Sequence, residues 1–292
     1  MKKLTSLIIL LLVGCGGEQP EAPSIVVYLA TEDARIAGML SEFTAETGIP
    51  IDYRRGSAAE LADALINKVG EPADLFIADS VVDHWRAAES GALRPIASAA
   101  LSEHHASLRD PDGLWFALEI RPHAIVHLGA TDPSRVSYED LGNPEFSGRV
   151  CLSSSSLASN RALLANLVAT RGELETERLV RRWIRNLAQA PYPSSDELRD
   201  ASQAGTCEFG IAGNPHTVFG NWNVTPEPHS YEATAVGVGR HARQPDAAQS
   251  LADWLLVNKS VRVPSFAELP RAGIAGWRDE EARLLAERAG YR

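Results

Sequence analysis

The stretch that decides the fold is residues 24–79, SIVVYLATEDARIAGMLSEFTAETGIPIDYRRGSAAELADALINKVGEPADLFIAD. Short apolar runs alternate in it with longer segments in which apolar residues recur every three or four positions. The short runs predict β-strands and the longer periodic segments predict helices. The expected elements are strands at 24–30, 49–53 and 73–78 and helices at 34–46 and 58–69. This alternating order is typical of a parallel sheet with helices on its faces.

A second alternating block begins near residue 150. Two extended runs, 114–118 and 124–128, separate the blocks, and such a pair of runs can form a hinge. The predicted elements of the second block are strands at 150–152, 209–212 and 233–238 and helices at 157–169, 173–188, 196–204, 247–257 and 279–289. We therefore expect an α/β protein in which two α/β blocks are joined by extended segments.

The first fourteen residues, MKKLTSLIILLLVG, place two lysines before an apolar run that is too short to span a bilayer as a mature helix. This pattern predicts a secretory signal peptide at 1–14. Cys15 follows small and apolar residues, a pattern that looks like the lipobox of bacterial lipoproteins, in which the cysteine is acylated. Residues 15–24 are polar and rich in Gly and Pro, which favours a lipidated cysteine followed by a flexible tether. We expect a membrane-anchored lipoprotein in the periplasm or at the cell surface; the alternative is an ordinary cleavage site followed by a chance cysteine.

The chain is acidic, with 28 Lys and Arg against 38 Asp and Glu, a net charge of -10. Removal of Lys2 and Lys3 with the signal leaves 26 basic residues and a net charge of -12. Because nucleic-acid binding depends on basic surfaces that neutralise phosphates, we expect no nucleic-acid partner.

Two cysteines, Cys151 and Cys207, follow the one in the lipobox. In an oxidising compartment such an even pair is expected to form a disulfide. Each stands near the start of an apolar run, which suggests that the two strands are neighbours. The alternative is a pair of buried free thiols.

Four further stretches carry a resemblance to a known family: LRDPDGLWFALEIRPHAIVH at 108–127, SYEDLGNPEFSGRVCLSSSS at 137–156, ADLFIAD at 73–79 and QAGTCE at 203–208. In this order and spacing they resemble the substrate-binding proteins of ferric-iron ABC importers, which have the class II periplasmic binding protein fold. The resemblance implies an α/β protein with two lobes, each a mixed sheet flanked by helices, and a solute cleft between them that closes by hinge motion. It implies a lobe 1 of residues 25–121 plus 233–292 and a lobe 2 of residues 122–232. It also implies a monomer that delivers its solute to the permease and ATPase of an importer.

In that family two adjacent tyrosines bind ferric ion through phenolate oxygens, which are hard donors for a hard cation. Counted from Cys207, their places fall here on Pro215 and His216, so the tyrosine pair is absent. The family's other ligands fall near Glu32 and on Asp79, each at the carboxyl end of a predicted strand. The resemblance thus implies a metal set of Glu32, Asp79 and His216 for iron or another transition metal, free or chelated. The alternative is that the carboxylates are helix caps or loop residues and the histidine a turn residue.

The serines before the helix predicted at 157–169 suggest an anion site, since hydroxyls and a helix N-terminus both favour negative charge. In the family the matching segment helps to hold a synergistic anion, such as phosphate or carbonate, together with an arginine from the crossover. The implied anion- or solute-binding residues are Arg121, Ser153, Ser154, Ser155, Asn160 and Asn214. The alternative for the serines is a plain helix cap.

The sequence contains no H-E-x-x-H or G-x-S-x-G motif and no dinucleotide-binding G-x-G-x-x-G turn. We therefore expect a binding protein with no catalytic residues and no catalytic cofactor. The predicted function is that of an extracytoplasmic solute-binding lipoprotein of an ABC importer, for iron or another transition metal. Two alternatives stay open: a non-metal solute, such as a phosphonate or an organic cation, on the same fold, or a lipoprotein that partners a sensor or an assembly and binds no small ligand.

Overall fold

The computed structural model describes residues 24–31, 33–127, 136–213, 229–258 and 270–292. In this part of the chain the predicted α/β class is confirmed. The strands are β1 (Ile25–Ala30), β2 (Ile51–Arg55), β3 (Leu75–Ala78), β4 (Leu93–Arg94), β5 (Trp115–His127), β6 (Val150–Cys151), β7 (Phe209–Gly213) and β8 (Tyr231–Gly239). The helices are α1 (Ala34–Thr47), α2 (Ala58–Asn67), α3 (Val81–Glu89), α4 (Ala99–Glu103), α5 (Ala158–Arg171), α6 (Glu173–Arg185), α7 (Ser195–Gln203), α8 (Pro245–Asn258), α9 (Ile274–Trp277) and α10 (Asp279–Ala289).

The first block folds as the β-α-β-α-β pattern predicts. Strand β1 pairs in parallel with β2 on one side and with β3 on the other. Helix α1 begins after Asp33, whose carboxylate accepts the N–H of Arg35. It ends at Gly48, which has φ of 72°, a left-handed conformation that glycine adopts without strain.

Alternation along β1 divides its side chains between two cores, because successive strand residues point to opposite faces. Ile25, Val27 and Leu29 pack in the core with α1 and α8. Val26 and Tyr28 pack in the core with α2 and β8. Full burial of each large apolar side chain contributes about 1.5–3 kcal/mol, so the two cores hold helices on both faces of the sheet.

Strand β5 joins two parts of one sheet, whose strand order is β2-β1-β3-β8-β5-β7-β6, with β4 paired to β8. Its first part, to Pro122, pairs antiparallel with β8. Its second part, from His123, pairs antiparallel with β7. The two extended runs predicted at 114–118 and 124–128 are therefore one strand, which crosses from one part of the protein to the other.

We call lobe 1 the part built on β2, β1, β3, β8 and the first part of β5. Lobe 2 is the part built on the second part of β5 with β7 and β6, and the crossover is the change of partner between Pro122 and His123. Lobe 2 has its own apolar core, formed by residues such as Ile125, Trp183 and Phe209.

A disulfide joins Cys151 and Cys207 in lobe 2, as predicted, with their Cα atoms 5.8 Å apart. Cys151 lies in β6, which pairs in parallel with β7, and Cys207 lies two residues before β7 begins. The expectation of neighbouring strands is thus confirmed, and the bond closes a loop over a sequence separation of 56 residues.

Helix α10 packs differently from the predicted division, which gave residues 233–292 to lobe 1. Ala282, Leu285, Ala286 and Ala289 lie in the core of lobe 2, and α10 contacts α5 and α6. The apolar stripe of α10 recurs every three or four residues and is buried against the nearest apolar surface, which belongs to lobe 2. Among the described residues, no helix is both long and apolar enough to cross a membrane.

Candidate functional site

Asp79, a predicted metal ligand, lies directly after β3 at the carboxyl end of the parallel strands. Its N–H donates to the carbonyl of Ala30 at 3.0 Å, which ties the ends of β1 and β3 together. Its side chain is 38% exposed. Asp79 does not cap helix α3, because the hydroxyl of Ser80 accepts the N–H of Asp83 and fills that role. The carboxylate is thus available at a sheet edge where open α/β sheets bind ligands.

Arg121 from β5 and Thr234 from β8 hold the Asp79 carboxylate. Nη1 of Arg121 lies 3.2 Å from Oδ1 of Asp79, and the Thr234 hydroxyl donates to the same oxygen at 2.5 Å. Nη1 of Arg121 also donates to the Thr234 hydroxyl. The family resemblance implied that Arg121 binds an anion. In the structure Nη1 of Arg121, the residue before Pro122, lies 3.2 Å from Oδ1 of the predicted metal ligand Asp79.

Glu232 is a second carboxylate at this edge, and the sequence analysis missed it. It pairs in register with Arg121, and it is only 4% exposed. Its Oε1 accepts the N–H groups of Val81 and Ala233, while Oε2 has no hydrogen-bond partner among the described residues. Burial raises the pKa of Glu232 to about 7, although the nearby Arg121 acts in the opposite direction. The available signal was the single charged residue in β8, YEATAVGVG, whose other residues are all uncharged.

His123 lies on the other side of the crossover and is fully buried. Its Nε2 lies 2.6 Å from the carbonyl of Ser159 in α5, and its Nδ1 lies 3.0 Å from the hydroxyl of Ser230. Because a carbonyl only accepts, Nε2 carries the proton and Nδ1 accepts from Ser230. Burial lowers the pKa of His123 to about 4, so the ring is neutral at physiological pH. His123 therefore has a structural role: its hydrogen bonds link β5 to α5 and to Ser230, the residue before β8.

The predicted anion site is built around Asn160, whose side-chain amide is buried. Its Nδ2 lies 3.0 Å from the carbonyl of Ser153 and 2.8 Å from the carbonyl of Ser154, and 3.0 Å from the Ser153 hydroxyl. The Ser155 hydroxyl donates to the carbonyl of Tyr291. Ser153, Ser155 and Asn160 are therefore engaged within the protein. None of the serines caps α5, because Leu157 occupies the cap position without a side-chain hydrogen bond.

Four predicted residues lie outside the described part of the chain, namely Cys15, Glu32, Asn214 and His216. Their roles stay predictions. The described residues contain no group of three or more His, Cys, Asp or Glu side chains placed to hold a metal ion. Of the predicted metal set, the structure describes Asp79 alone. Gly213, the last described residue before the gap that holds His216, pairs with His123 beside the crossover.

Comparison with known proteins points to one class of protein. A sequence profile described as bacterial extracellular solute-binding protein matches residues 70–213. Iron uptake protein A1 of Synechocystis sp. is 30% identical over 242 residues, which cover 78% of this chain and 66% of that protein. Iron uptake protein A2 of the same organism is 30% identical over 168 residues, 56% of this chain and 49% of that protein. The chain thus spans about two thirds of the first relative's length and about half of the second's.

Solved structures show the same fold over most of the chain. A Trichodesmium protein (IdiA, FutA) in complex with iron and citrate superposes with a TM-score of 0.81 at 22% identity, covering 92% of this chain and all of that one. A ferric binding protein from Campylobacter jejuni gives a TM-score of 0.79 at 20% identity, with the same coverage. At these identities the likeness establishes the fold, and it confirms the predicted two-lobed architecture.

Proposed function

The chain belongs to the bacterial extracellular solute-binding proteins, and we propose that it binds iron, free or as a complex with a small anion, at the edge of lobe 1 that faces the crossover. Members of this family bind solutes and are not enzymes. Iron is the solute because two relatives are named iron uptake proteins and a protein of the same fold holds iron and citrate.

The observation that carries this proposal is the pair of Asp79 and Arg121. An exposed carboxylate at the carboxyl edge of parallel strands offers a hard oxygen ligand to a hard cation. Among the described residues, the Arg121 guanidinium donates through Nη1 only, although a guanidinium carries five N–H groups. The remaining donors suit the carboxylate or phosphate oxygens of an anion that accompanies the metal.

Glu32 and His216 complete the proposed metal set with Asp79. The support for them is their alignment with family ligands, since both lie outside the described residues. An imidazole in place of a tyrosine pair gives a softer and less negative site, so the accompanying anion has to supply more of the charge that neutralises iron. We therefore favour an iron complex with an anion over bare ferric ion.

We propose that Ser154 contacts the anion directly. Ser153, Ser155 and Asn160 then set the shape of the segment around Ser154. Ser154 is partly exposed, and its hydroxyl lies 2.9 Å from that of Ser156. Asn214 keeps its predicted role as a solute contact.

We also propose that the protein is a lipoprotein anchored through Cys15 in the periplasm or at the cell surface, and that it acts as a monomer with the permease and ATPase of an importer. The support is the signal-like sequence at 1–14, the lipobox-like residues before Cys15 and the family assignment.

The test is iron binding by protein purified without chelators. Elemental analysis is followed by titration with ferric citrate of the wild type and of Asp79→Asn and His216→Ala. Asp112→Asn is the matched control, because Asp112 is an exposed carboxylate in a turn of lobe 1. We expect one iron per chain, with affinity at least about tenfold lower in Asp79→Asn, since about 1.4 kcal/mol of lost ligand energy corresponds to a factor of ten.

Each variant tests one part of the proposal. Wild-type protein that binds no iron stoichiometrically, with or without citrate, overturns the proposed solute. Wild-type affinity in Asp79→Asn or in His216→Ala removes that residue from the site. A strong visible phenolate-to-iron band on adding ferric ion contradicts a site without tyrosine ligands.

A further inference from the structure

Residues 270–292 connect the two lobes and reach the predicted anion site. Ala272 lies in a core of lobe 1, and Ala275 packs between α3 of lobe 1 and α5 of lobe 2. Helix α10 then lies in the core of lobe 2. After α10 the chain turns at Gly290, which has φ of 77°, and places Tyr291 beside the segment Ser153–Ser156.

Tyr291 is hydrogen-bonded to this serine segment in two places. Its hydroxyl donates to the carbonyl of Ser153 at 2.6 Å, and its own carbonyl accepts the hydroxyl of Ser155 at 3.0 Å. The side chain is 3% exposed. Burial raises the pKa of Tyr291 well above its usual range, so the phenol keeps its proton and stays a donor.

These bonds occupy the oxygen atoms that would repel an anion. A carbonyl oxygen has two lone pairs, and that of Ser153 accepts from both Tyr291 and Asn160. The carbonyl of Ser154 accepts from Asn160 as well. The hydroxyls of Ser154 and Ser156 are hydrogen-bonded to each other at 2.9 Å, so one donates to the other and the second keeps a proton that it can donate to a bound group.

The serine segment has few other supports. Strand β6, which precedes it, has two residues, and α5, which follows it, has no side-chain cap. The main-chain N–H of Ser154 donates to the carbonyl of Tyr192 at 2.7 Å. The Arg161 guanidinium donates to the carbonyl of Ser156, and the N–H of Leu157 donates to the carbonyl of Ser154. Among the residues that bond to the segment, Tyr291 is the one most distant in sequence.

We propose that Tyr291 is a positioning residue for the anion that accompanies iron: it holds the serine segment in the shape in which the bonded hydroxyl pair of Ser154 and Ser156 donates its remaining proton to a carboxylate or phosphate oxygen. This inference rests on the proposed function. It gives residues 270–292 a role in solute binding beyond the packing of lobe 2.

The experiment compares Tyr291→Phe with Tyr138→Phe. Both variants remove one buried hydroxyl from the core of lobe 2, but that of Tyr138 has no hydrogen-bond partner among the described residues. Iron affinity is measured at a series of citrate concentrations, and unfolding by urea is followed in parallel. We expect Tyr291→Phe to need about three- to tenfold more citrate for half of the maximal affinity, with the same affinity at saturating citrate, and Tyr138→Phe to follow the wild type.

We call the citrate concentration that gives half of the maximal iron affinity the citrate midpoint. It separates positioning from stability, because a loss of stability alone does not move it. An unchanged midpoint in Tyr291→Phe, with normal iron binding by the wild type, overturns the role of Tyr291 and leaves the proposed function standing. Wild-type protein that binds no iron overturns both. If Tyr291→Phe does not fold, Ser155→Ala, which removes the hydroxyl bonded to the Tyr291 carbonyl, decides by the same midpoint.

Discussion

At the crossover, lobe 1 presents the charged side chains Asp79, Arg121 and Glu232, whereas lobe 2 presents neutral groups, the serine segment and Asn160. The charges of lobe 1 are incompletely matched: Asp79 is partly exposed, and one oxygen of Glu232 has no partner among the described residues. The polar groups of lobe 2 are largely bonded to one another and to Tyr291. Among the described residues, the carboxylates of the proposed site therefore come from lobe 1, and lobe 2 contributes hydroxyl and amide groups.

The largest expected effect is on the stability of lobe 2. Replacement of both Cys151 and Cys207 by serine removes the bond that closes a loop over 56 residues. Loop entropy limits the loss to about 4 kcal/mol in the free energy of unfolding. We expect lobe 2 to unfold at lower urea than lobe 1, so that fluorescence of Trp183 in lobe 2 and of Trp115 in lobe 1 reports two transitions.

Single-tryptophan versions of the protein assign the two signals. Coincident transitions in the cysteine-free protein would show that the lobes unfold as one unit and would refute the separate weakening of lobe 2.

A second prediction concerns His123, the buried base on the lobe 2 side. Burial lowers its pKa from 6.5 to about 4. Between these values the unfolded chain binds a proton that the folded chain does not, so stability is intact above pH 6.5 and falls as the pH drops toward 4. The loss is about 3–4 kcal/mol at most, since the pKa falls from 6.5 to about 4 and each pKa unit corresponds to about 1.4 kcal/mol. Urea unfolding of the wild type and of His123→Gln is measured at pH 7, 5.5 and 4.5. We expect the difference in free energy of unfolding between the two proteins to shrink as the pH falls.

The exposed His241→Gln serves as the control and should follow the wild type at each pH. A constant difference between the wild type and His123→Gln across this range would contradict a neutral, buried His123.

The smallest expected effect is on the pH dependence of stability in lobe 1, and it comes from Glu232. Burial raises its pKa from 4.5 to about 7. The folded protein therefore holds this proton more tightly than the unfolded chain, and stability that is full below pH 4.5 is lost as the pH rises through 7. Glu232→Gln has no such proton to lose, so we expect it to gain about 3 kcal/mol relative to the wild type between pH 4.5 and pH 8.

Urea unfolding at both pH values measures this gain, with the exposed Glu103→Gln as the control for the substitution. Between pH 4.5 and 6.5 Glu232 and His123 act in opposite directions, so the wild type alone conceals both effects. A gain that is equal at pH 4.5 and pH 8 would show that Glu232 does not titrate in this range.

Local patterns were enough to predict most elements of the fold. The β-α-β-α-β order of residues 25–78 follows from apolar periodicity and polar boundaries, both of which are local in sequence. The sequence predicts two extended runs where the structure has the single strand β5, and Pro122, a residue that normally interrupts a strand, lies between them. In the structure Pro122 lies where β5 changes its pairing partner from β8 to β7. At this position the sheet does not require a main-chain N–H donor, which proline lacks.

The site was harder to predict because its contacts join distant parts of the chain. The family resemblance pointed to Asp79, but its neighbours Arg121 and Thr234 come from strands 42 and 155 residues further on. The bond from Tyr291 to Ser153 spans 138 residues, and nothing in the local sequence signals it. The lobe to which α10 belongs was missed for the same reason, since its stripe of apolar residues does not specify which surface it covers.

The dependence of lobe 2 on α10 and Tyr291 has a consequence for the order of maturation. A chain that crosses a membrane from its first residue onward presents the eight described strands, through residue 239, before the last helix arrives. Until residues 282–291 have emerged, the apolar surface of α5 and α6 lacks its cover and Ser153 lacks its phenol donor. For a chain exported in that order, lobe 2 is thus the half that is completed last, since its core and its serine segment wait for residues 282–291.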